Sequence, residues 1–328
     1  MRARSAATLL LALTAAAAVG AAVPPGNTAD LPYFTGAADR MLSGSWAETY
    51  SDASLQVGPL QLLLFALPST ALIGAVAGAL SAGLFWLIAR RFLADAQGWA
   101  LLAASLAPVV LGLTFHAYRQ GHPAQVLVPL LWVIAGLELR RGRAWTAGAV
   151  IGLSAGFEVW GLLGVAVFGA APTVRLAMRA VASTSVLALS LYAPFWVAGD
   201  FAMFEYRWAV SDETLISLFL EPGTEFPWSV RILQGGTALL VGSVLTRMLR
   251  RSPAALWVGP LALVAVRVAL DPVRYPWYWL ALETLALVGA VHLGGELLSR
   301  RALEAAHRGA ARCSRAPLPA PRSAPRTS

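Results

Sequence analysis

The chain has 328 residues, of which 58% are hydrophobic and only 13% are charged. Soluble domains carry about 25% charged residues, so this composition excludes an ordinary soluble protein and predicts a polytopic membrane protein. The net charge of +8 does not indicate nucleic-acid binding, because the basic residues are not clustered with aromatic residues on one face.

All 25 basic residues are arginine, which excludes a phosphate-loop lysine or a Schiff-base lysine. The single cysteine, Cys313, excludes an intramolecular disulfide and a thiolate metal cluster. The four histidines lack the paired spacing of metal ligands. We therefore predict neither a metal ion nor another cofactor.

The first apolar segment, residues 6–23, fits either a cleavable signal peptide or a retained first helix, and we favour the retained helix. It leads into the polar loop 24–58, which holds Asp30, Asp39, Glu48 and Asp52. In either case this loop is exported. Beyond it, residues 59–67 are predicted to form an interfacial helix that ends before Pro68.

Long apolar runs predict an all-α fold, with about eight full spans and one short helical hairpin. The predicted spans are 6–23, 69–89, 98–115, 124–139, 181–197, 230–246, 254–270 and 276–298. Residues 1–299 form the transmembrane domain, and residues 300–328 form a basic tail that we predict to be disordered and cytoplasmic.

Residues 144–172 fit either one span or a hairpin that turns at residues 156–161. The hairpin keeps the later arginine clusters in the cytoplasm, as the positive-inside bias requires. Both chain termini are then cytoplasmic, and most acidic residues lie outside. Only six of the 25 arginines lie outside in this topology: Arg40, Arg119, Arg207, Arg231, Arg267 and Arg274.

Several outer residues are candidates for chemistry. Asp30 suits either a general base or the N-cap of a short helix. Arg274 and Arg119 carry planar guanidinium groups suited to a phosphate. Glu158 and Glu283 are carboxylates at membrane depth, which need a partner or a polar cavity. The remaining candidates, for substrate binding, are Tyr33, His116, His122 and Tyr275.

Short motifs in the first half of the chain resemble the GT-C superfamily of membrane glycosyltransferases. Within that superfamily, they resemble the polyprenyl-phosphate-mannose-dependent α-mannosyltransferases of actinobacterial type. One departure is Glu158, which stands where many members carry a basic residue. The resemblance rests on Asp30-Leu-x-Tyr33, Gly36-Ala37, Leu42, Gly44, Tyr50, Gly58-Pro-Leu60, Gly121-His-Pro-Ala-Gln125, Arg140-Arg-Gly-Arg143, Ala147-Gly-x-x-x-Gly-Leu-x-Ala-Gly156, Trp160 and, more weakly, Tyr275–Tyr278.

The resemblance implies an inverting sugar transfer at the extracytoplasmic face of a bacterial plasma membrane. Asp30 would be the catalytic base, with a polyprenyl-phosphate sugar as donor and a lipid or cell-envelope glycan as acceptor. Arg274 and Arg119 are our candidates for the donor phosphate, on position alone. Two alternatives stay open, namely a transporter or flippase of lipid-linked glycans, and a non-catalytic partner of a cell-envelope synthesis complex.

Overall fold

The computed structural model describes residues 2–26, 30–93 and 98–314, and 76% of the chain is helical. This confirms the predicted mostly helical class. The α-helices of the described residues are α1 Arg2–Ala22, α2 Asp30–Leu42, α3 Pro59–Phe65, α4 Thr70–Phe92, α5 Gly98–Val110, α6 Leu113–Arg119, α7 Ala124–Arg140, α8 Ala144–Phe157, α9 Val174–Ala198, α10 Trp228–Met248, α11 Ala255–Ala269 and α12 Trp279–Ser314.

Short 3₁₀ helices and one two-stranded ribbon complete these ranges. The 3₁₀ helices are Trp46–Glu48, Val159–Ala170, Met203–Glu205, Ile216–Leu218 and Pro276–Tyr278. The strands β1 Trp208–Ala209 and β2 Glu225–Phe226 pair antiparallel, within the predicted outer loop before α10.

Six segments of the described residues are long and apolar enough to cross a membrane. They are Ser5–Ala22, Thr70–Phe92, Gly98–Arg119, Val174–Ala198, Trp228–Met248 and Pro276–Arg301. The predicted spans 124–139 and 254–270 form the shorter helices α7, of 17 residues, and α11, of 15 residues. At 1.5 Å per residue these helices are about 25 Å and 23 Å long, less than the roughly 30 Å of a hydrocarbon core.

Helix α7 lies at the centre of the main hydrophobic core. It packs against α4, α8, α11, α12 and the 3₁₀ helix Val159–Ala170, and most of its side chains are buried. Trp132, which is fully buried, donates from Nε1 to the carbonyl of Gly161 at 2.9 Å. A helix enclosed on all sides contacts little lipid, so α7 does not need the full spanning length.

Small residues bring α1 and α4 into close contact. Ala16 and Gly20 of α1 face Gly78 and Gly74 of α4, and a side-chain carbon added at either Gly20 or Gly74 would collide with the backbone of the other helix. This spacing of small residues four positions apart is typical of closely packed membrane helices. The first apolar segment therefore packs as an integral part of the helical bundle.

The predicted hairpin between residues 144 and 172 is present, with α8 as its first arm and the long 3₁₀ helix Val159–Ala170 as its second. Ser154 Oγ donates to the carbonyl of Gly161 at 3.0 Å, which joins the two arms near the turn. Six residues of the 3₁₀ helix are buried, and four of them stand at every third position, as expected for a buried face with three residues per turn; the six are Gly161, Gly164, Ala166, Val167, Phe168 and Ala170.

Glu158 lies at the turn of this hairpin in an extended conformation, with φ of −149° and ψ of 144°. It forms an isolated β-bridge with Val57, and the amide of Gly58 donates to the carbonyl of Phe157 at 2.7 Å. These backbone contacts join the hairpin turn to the first polar loop, and they place Glu158 close to that loop.

Two helices differ from the predicted boundaries. The predicted span 98–115 is divided into α5 and α6 at Gly112, whose φ of +78° is incompatible with a continuous helix. Helix α12 continues past residue 299 to Ser314, into the segment that we predicted to be disordered. Its final part is rich in alanine and arginine, which favour helix, and the rest of the predicted tail lies outside the described residues.

Candidate active site

A cavity of about 850 Å³ lies where the predicted outer ends of the helices meet. Its wall combines parts of α2, the loop before α3, the start of α7, the hairpin turn, the start of the long 3₁₀ helix, the loop before α10, the first half of α10, the end of α11, and Tyr275, Trp277 and Tyr278. Polar side chains surround Asp30 and His122, whereas leucine and glycine residues form the wall along the long 3₁₀ helix and α10.

Asp30, His122 and Glu158 form a continuous hydrogen-bonded network in this cavity. His122 Nε2 lies 3.2 Å from Oδ2 of Asp30, and His122 Nδ1 lies 3.4 Å from Oε1 of Glu158. Asp30 has 36% of its side chain exposed, against 13% for His122 and 9% for Glu158. Asp30 is therefore the member of this network that a substrate reaches most easily.

The two carboxylates control the charge of His122. Burial lowers the pKa of His122, but hydrogen bonds to Asp30 and Glu158 and their negative charges raise it by more, so the pKa lies above its usual 6.5. The imidazolium carries a proton on both ring nitrogens and can donate to both carboxylates.

The turn between α6 and α7 places His122 next to Asp30. Gly121 adopts a φ of +83° in this turn, and the amide of His122 donates to the carbonyl of Ala117 at 2.8 Å. A side-chain carbon at Gly121 would lie 3.3 Å from Cβ of Asp30. Glycine is therefore needed here both for the backbone conformation and for the close approach of α2.

Aromatic rings fix the orientation of the His122 imidazole. Trp277 stacks on it, with ring centres 4.4 Å apart and an angle of 12° between the planes. Tyr275 stacks on the opposite face of Trp277 at 4.5 Å, and Phe34 meets the imidazole edge-on at 5.5 Å. This stack leaves His122 little freedom to turn away from the carboxylates.

Glu158 has the partners that a carboxylate at this depth requires. Its Oε2 atom accepts hydrogen bonds from Gln125 Nε2 at 3.1 Å and from Trp160 Nε1, in addition to the contact of Oε1 with His122. The acid is thus held in place from both sides, and it in turn positions the imidazole.

A buried ion pair ties the start of α10 to the end of α11 at the cavity. Arg231 Nη1 lies 2.7 Å from Oδ2 of Asp271, and only 11% and 1% of the two side chains are exposed. Gln234 accepts from Arg231 at 2.9 Å and donates to the carbonyl of Arg267 at 2.7 Å. The Arg231 guanidinium also lies 4.3 Å from the centre of the Trp208 ring.

Arg267, near the end of α11, is the second arginine in the cavity wall. Its guanidinium lies 4.9 Å from the ring centres of both Trp160 and Tyr278. Such cation–π contacts compensate part of the cost of burying a cation. Because Trp160 also donates to Glu158, contacts run without interruption from Arg267 to Asp30.

No protein-family model, curated protein or solved structure matches the chain. Any assignment of function therefore depends on the geometry of the site and on the sequence motifs. Within the described parts of the chain, no cluster of three or more His, Cys, Asp or Glu residues is arranged to hold a metal ion.

Four of the seven predicted site residues line this cavity: Asp30, Tyr33, His122 and Tyr275. The Tyr33 hydroxyl donates to Oδ2 of Asp52 at 2.8 Å and lies 2.8 Å from Oγ of Ser54. Burial raises the pKa of Tyr33 to about 12 and also raises that of Tyr275. Both tyrosines are therefore neutral at physiological pH and suited to hydrogen bonding rather than to proton abstraction.

The other three predicted residues lie outside this cavity. Arg274 and His116 line a second cavity of about 760 Å³, together with Glu283, and Arg274 lies 3.9 Å from Glu213. Arg119 is exposed at the end of α6 and lines neither of these two cavities. Neither of the two arginines that we predicted to bind phosphate therefore lines the cavity that contains Asp30.

Arg231 and Arg267 were not among the predicted site residues, although both were predicted to lie on the outer side. A signal was available for Arg267, because an ionisable residue inside a predicted span is by default a candidate functional residue. Arg231 stands at the start of an apolar run, where an interfacial arginine is common, so its sequence position carried no comparable signal.

Proposed function

We propose that the protein is a membrane glycosyltransferase with a GT-C-like architecture of eight spans and one hairpin. It transfers a sugar, in our proposal mannose, from a polyprenyl-phosphate donor to a lipid or cell-envelope glycan acceptor. The reaction takes place at the extracytoplasmic face of a bacterial plasma membrane, with both chain termini in the cytoplasm. Membrane lipids surround the helices, and no nucleic acid is involved.

The observation that carries the proposal is the accessible Asp30 carboxylate in the same cavity as two guanidinium groups. A transfer of this kind needs a base for the acceptor hydroxyl and positive charge for the departing phosphate. Asp30 supplies the first, and Arg231 and Arg267 supply the second. The resemblance of the Asp30 loop to that of the GT-C enzymes supports the same assignment.

The proposed reaction is a single displacement. Asp30 accepts the proton of the acceptor hydroxyl as its oxygen attacks the anomeric carbon of the sugar. The bond from that carbon to the phosphate oxygen breaks, and the polyprenyl phosphate leaves with the electron pair, so the configuration at the anomeric carbon is inverted. The His122 imidazolium, whose Nε2 lies 3.2 Å from Oδ2 of Asp30, holds this carboxylate in place.

The test compares Asp30→Asn with Asp39→Asn, which removes an exposed carboxylate from the same helix. Membranes containing each variant receive radiolabelled polyprenyl-phosphate-mannose and a lipid acceptor extract. A general base contributes about 10²- to 10⁴-fold to a rate, so Asp30→Asn should lower transfer at least about a hundredfold. The Asp39→Asn variant should transfer at the wild-type rate.

Undiminished transfer by Asp30→Asn would refute the assignment of the base. If the wild-type protein transfers no sugar, yet cell-envelope synthesis requires its presence, a non-catalytic partner of a synthesis complex becomes the better hypothesis.

A further inference from the structure

Arg267 is a buried cation that forms no ion pair with a carboxylate of the described residues. Its side chain is in the cavity wall, the residue is only 8% exposed, and its Nη1 atom has no hydrogen-bond partner among the described residues. The cavity's ion pairs join Arg231 to Asp271 and His122 to the two carboxylates. Aromatic rings contact the Arg267 guanidinium, but they do not neutralise it.

A buried charge is costly unless a group of opposite charge and suitable hydrogen bonds accompany it. Guanidinium groups pair especially well with phosphate, because two N–H groups of the planar fork reach two oxygens. Arg231, in the same wall, would contribute a second positive charge, although Asp271 already balances part of it. The arrangement at Arg267 thus favours a phosphate ligand.

The same cavity has an apolar extension along α10. Its apolar lining on α10 comprises Ile232, Gly235, Gly236 and Leu239, and the seven steps from 232 to 239 cover about 10 Å at 1.5 Å per residue. This length is about a third of a hydrocarbon core of roughly 30 Å. A water-soluble ligand has no need of an apolar wall that extends so far along a candidate membrane span.

This extension also opens at the surface of the helical bundle. Ile232 lines the cavity and is 69% exposed. Gly235 and Gly236 follow it in the wall, and a side-chain carbon added at Gly236 would meet no atom within 4 Å. The long 3₁₀ helix, which packs against α10, contributes Leu162 and Leu163 to the wall. Leucine side chains and glycines therefore form the cavity wall along these two helices.

We infer that the cavity binds an amphiphilic phosphate, with the phosphate at Arg267 and the hydrocarbon chain between α10 and the long 3₁₀ helix. This inference deepens the proposed function, on which it rests for the ligand's role as sugar donor. It also assigns the phosphate to Arg267 in place of Arg274 and Arg119.

The first experiment measures binding to the full-length protein in lipid nanodiscs, with farnesyl phosphate, farnesol and inorganic phosphate as probes. The variant Arg267→Gln is compared with Arg274→Gln, which changes an arginine of the second cavity. Arg267→Gln should bind farnesyl phosphate at least about tenfold more weakly and farnesol as wild type does. Arg274→Gln should bind farnesyl phosphate within about twofold of wild type.

The second experiment fills the apolar extension. Gly236→Leu should weaken farnesyl phosphate binding at least about tenfold and leave inorganic phosphate binding unchanged. Its matched control is Gly294→Leu, at a helical glycine of α12 that also has no atom within 4 Å of an added side-chain carbon. That control should bind both probes as wild type does.

Wild-type affinity of Arg267→Gln for farnesyl phosphate would overturn the phosphate assignment. Wild-type affinity of Gly236→Leu, or equal wild-type affinities for inorganic and farnesyl phosphate, would overturn the chain assignment. If Arg267→Gln does not fold, Arg267→Lys serves instead, and its loss of the bidentate fork should still weaken binding. Asp30→Asn should lose sugar transfer but bind farnesyl phosphate as wild type does. A failure of the proposed base can therefore be distinguished from a failure of the proposed phosphate site.

Discussion

The Arg231–Asp271 pair allows a quantitative test of how the cationic side of the site is held together. Replacing Asp271 with asparagine keeps the size of the side chain but removes its charge. The asparagine Oδ1 can still accept from the amide of Val273, which lies at 3.1 Å in the wild type. Its amide nitrogen, however, would face the guanidinium of Arg231 with a donor instead of an acceptor.

The expected loss follows from burial. Asp271 is 1% exposed and Arg231 is 11% exposed, and removing one member of a buried ion pair typically costs about 3–5 kcal/mol. Gln234 continues to accept from Arg231 at 2.9 Å, so we expect a cost at the lower end, about 3 kcal/mol. The exposed pair Arg207–Glu225, at 2.9 Å with side chains 61% and 66% exposed, provides the control, because such pairs contribute about 0–1 kcal/mol.

The assay is equilibrium unfolding by denaturant in detergent micelles, followed by tryptophan fluorescence, for wild type, Asp271→Asn and Glu225→Gln. The double variant Arg231→Gln/Asp271→Asn should recover part of the lost free energy of unfolding, because it leaves no unpaired charge. Equal destabilisation by Asp271→Asn and Glu225→Gln would refute the reasoning, since it would mean that burial of the pair has no energetic consequence.

Two further predictions concern His122 and the topology. The pKa of His122 is higher in the folded protein than the 6.5 of the unfolded chain. The ion pairs of His122 therefore stabilise the folded protein fully below pH 6.5, and this stabilisation is lost as the pH rises through the folded-state pKa. The difference in unfolding free energy between wild type and His122→Gln should decrease from about pH 5 to about pH 9, and a constant difference would contradict a protonated His122. For the topology, Glu221→Cys in a Cys313→Ser background should react with an impermeant thiol reagent added to intact cells. Labelling that occurs only after lysis would place loop 199–227 in the cytoplasm.

The helices and the hairpin could be predicted because they follow from local composition. Apolar length indicates a helix, and the distribution of arginine favoured a turn near Glu158, where the chain does reverse. The length of α7 was also predicted to within one residue, but its position at the centre of the core was not. That helix is as apolar as its neighbours, and its central position depends on contacts with helices far away in the chain.

The side-chain pairings of the site could be predicted only in part. Asp30, His122 and Glu158 come from three separate segments, and no local pattern reveals that they meet. Arg274 illustrates the opposite difficulty. It lies in the irregular stretch just before the 3₁₀ helix Pro276–Tyr278. In this region Tyr275, Trp277 and Tyr278 line the first cavity, whereas Arg274, Pro276 and Trp279 line the second. Because Arg274 precedes the helix, no helical or strand period gives the orientation of its side chain.

Glu158 connects the acidic and cationic sides of the proposed site. It was notable in the sequence because many members of the resembled family carry a basic residue there, and because a carboxylate at membrane depth needs partners. In the structure the partners of Glu158 are His122, Gln125 and Trp160. A basic residue at this position would repel the imidazolium, whereas the acid stabilises it and so keeps Asp30 beside a cation. Trp160, held by Glu158, in turn contacts the guanidinium of Arg267. One acidic residue at the hairpin turn therefore helps to position both the proposed base, Asp30, and the proposed phosphate-binding residue, Arg267.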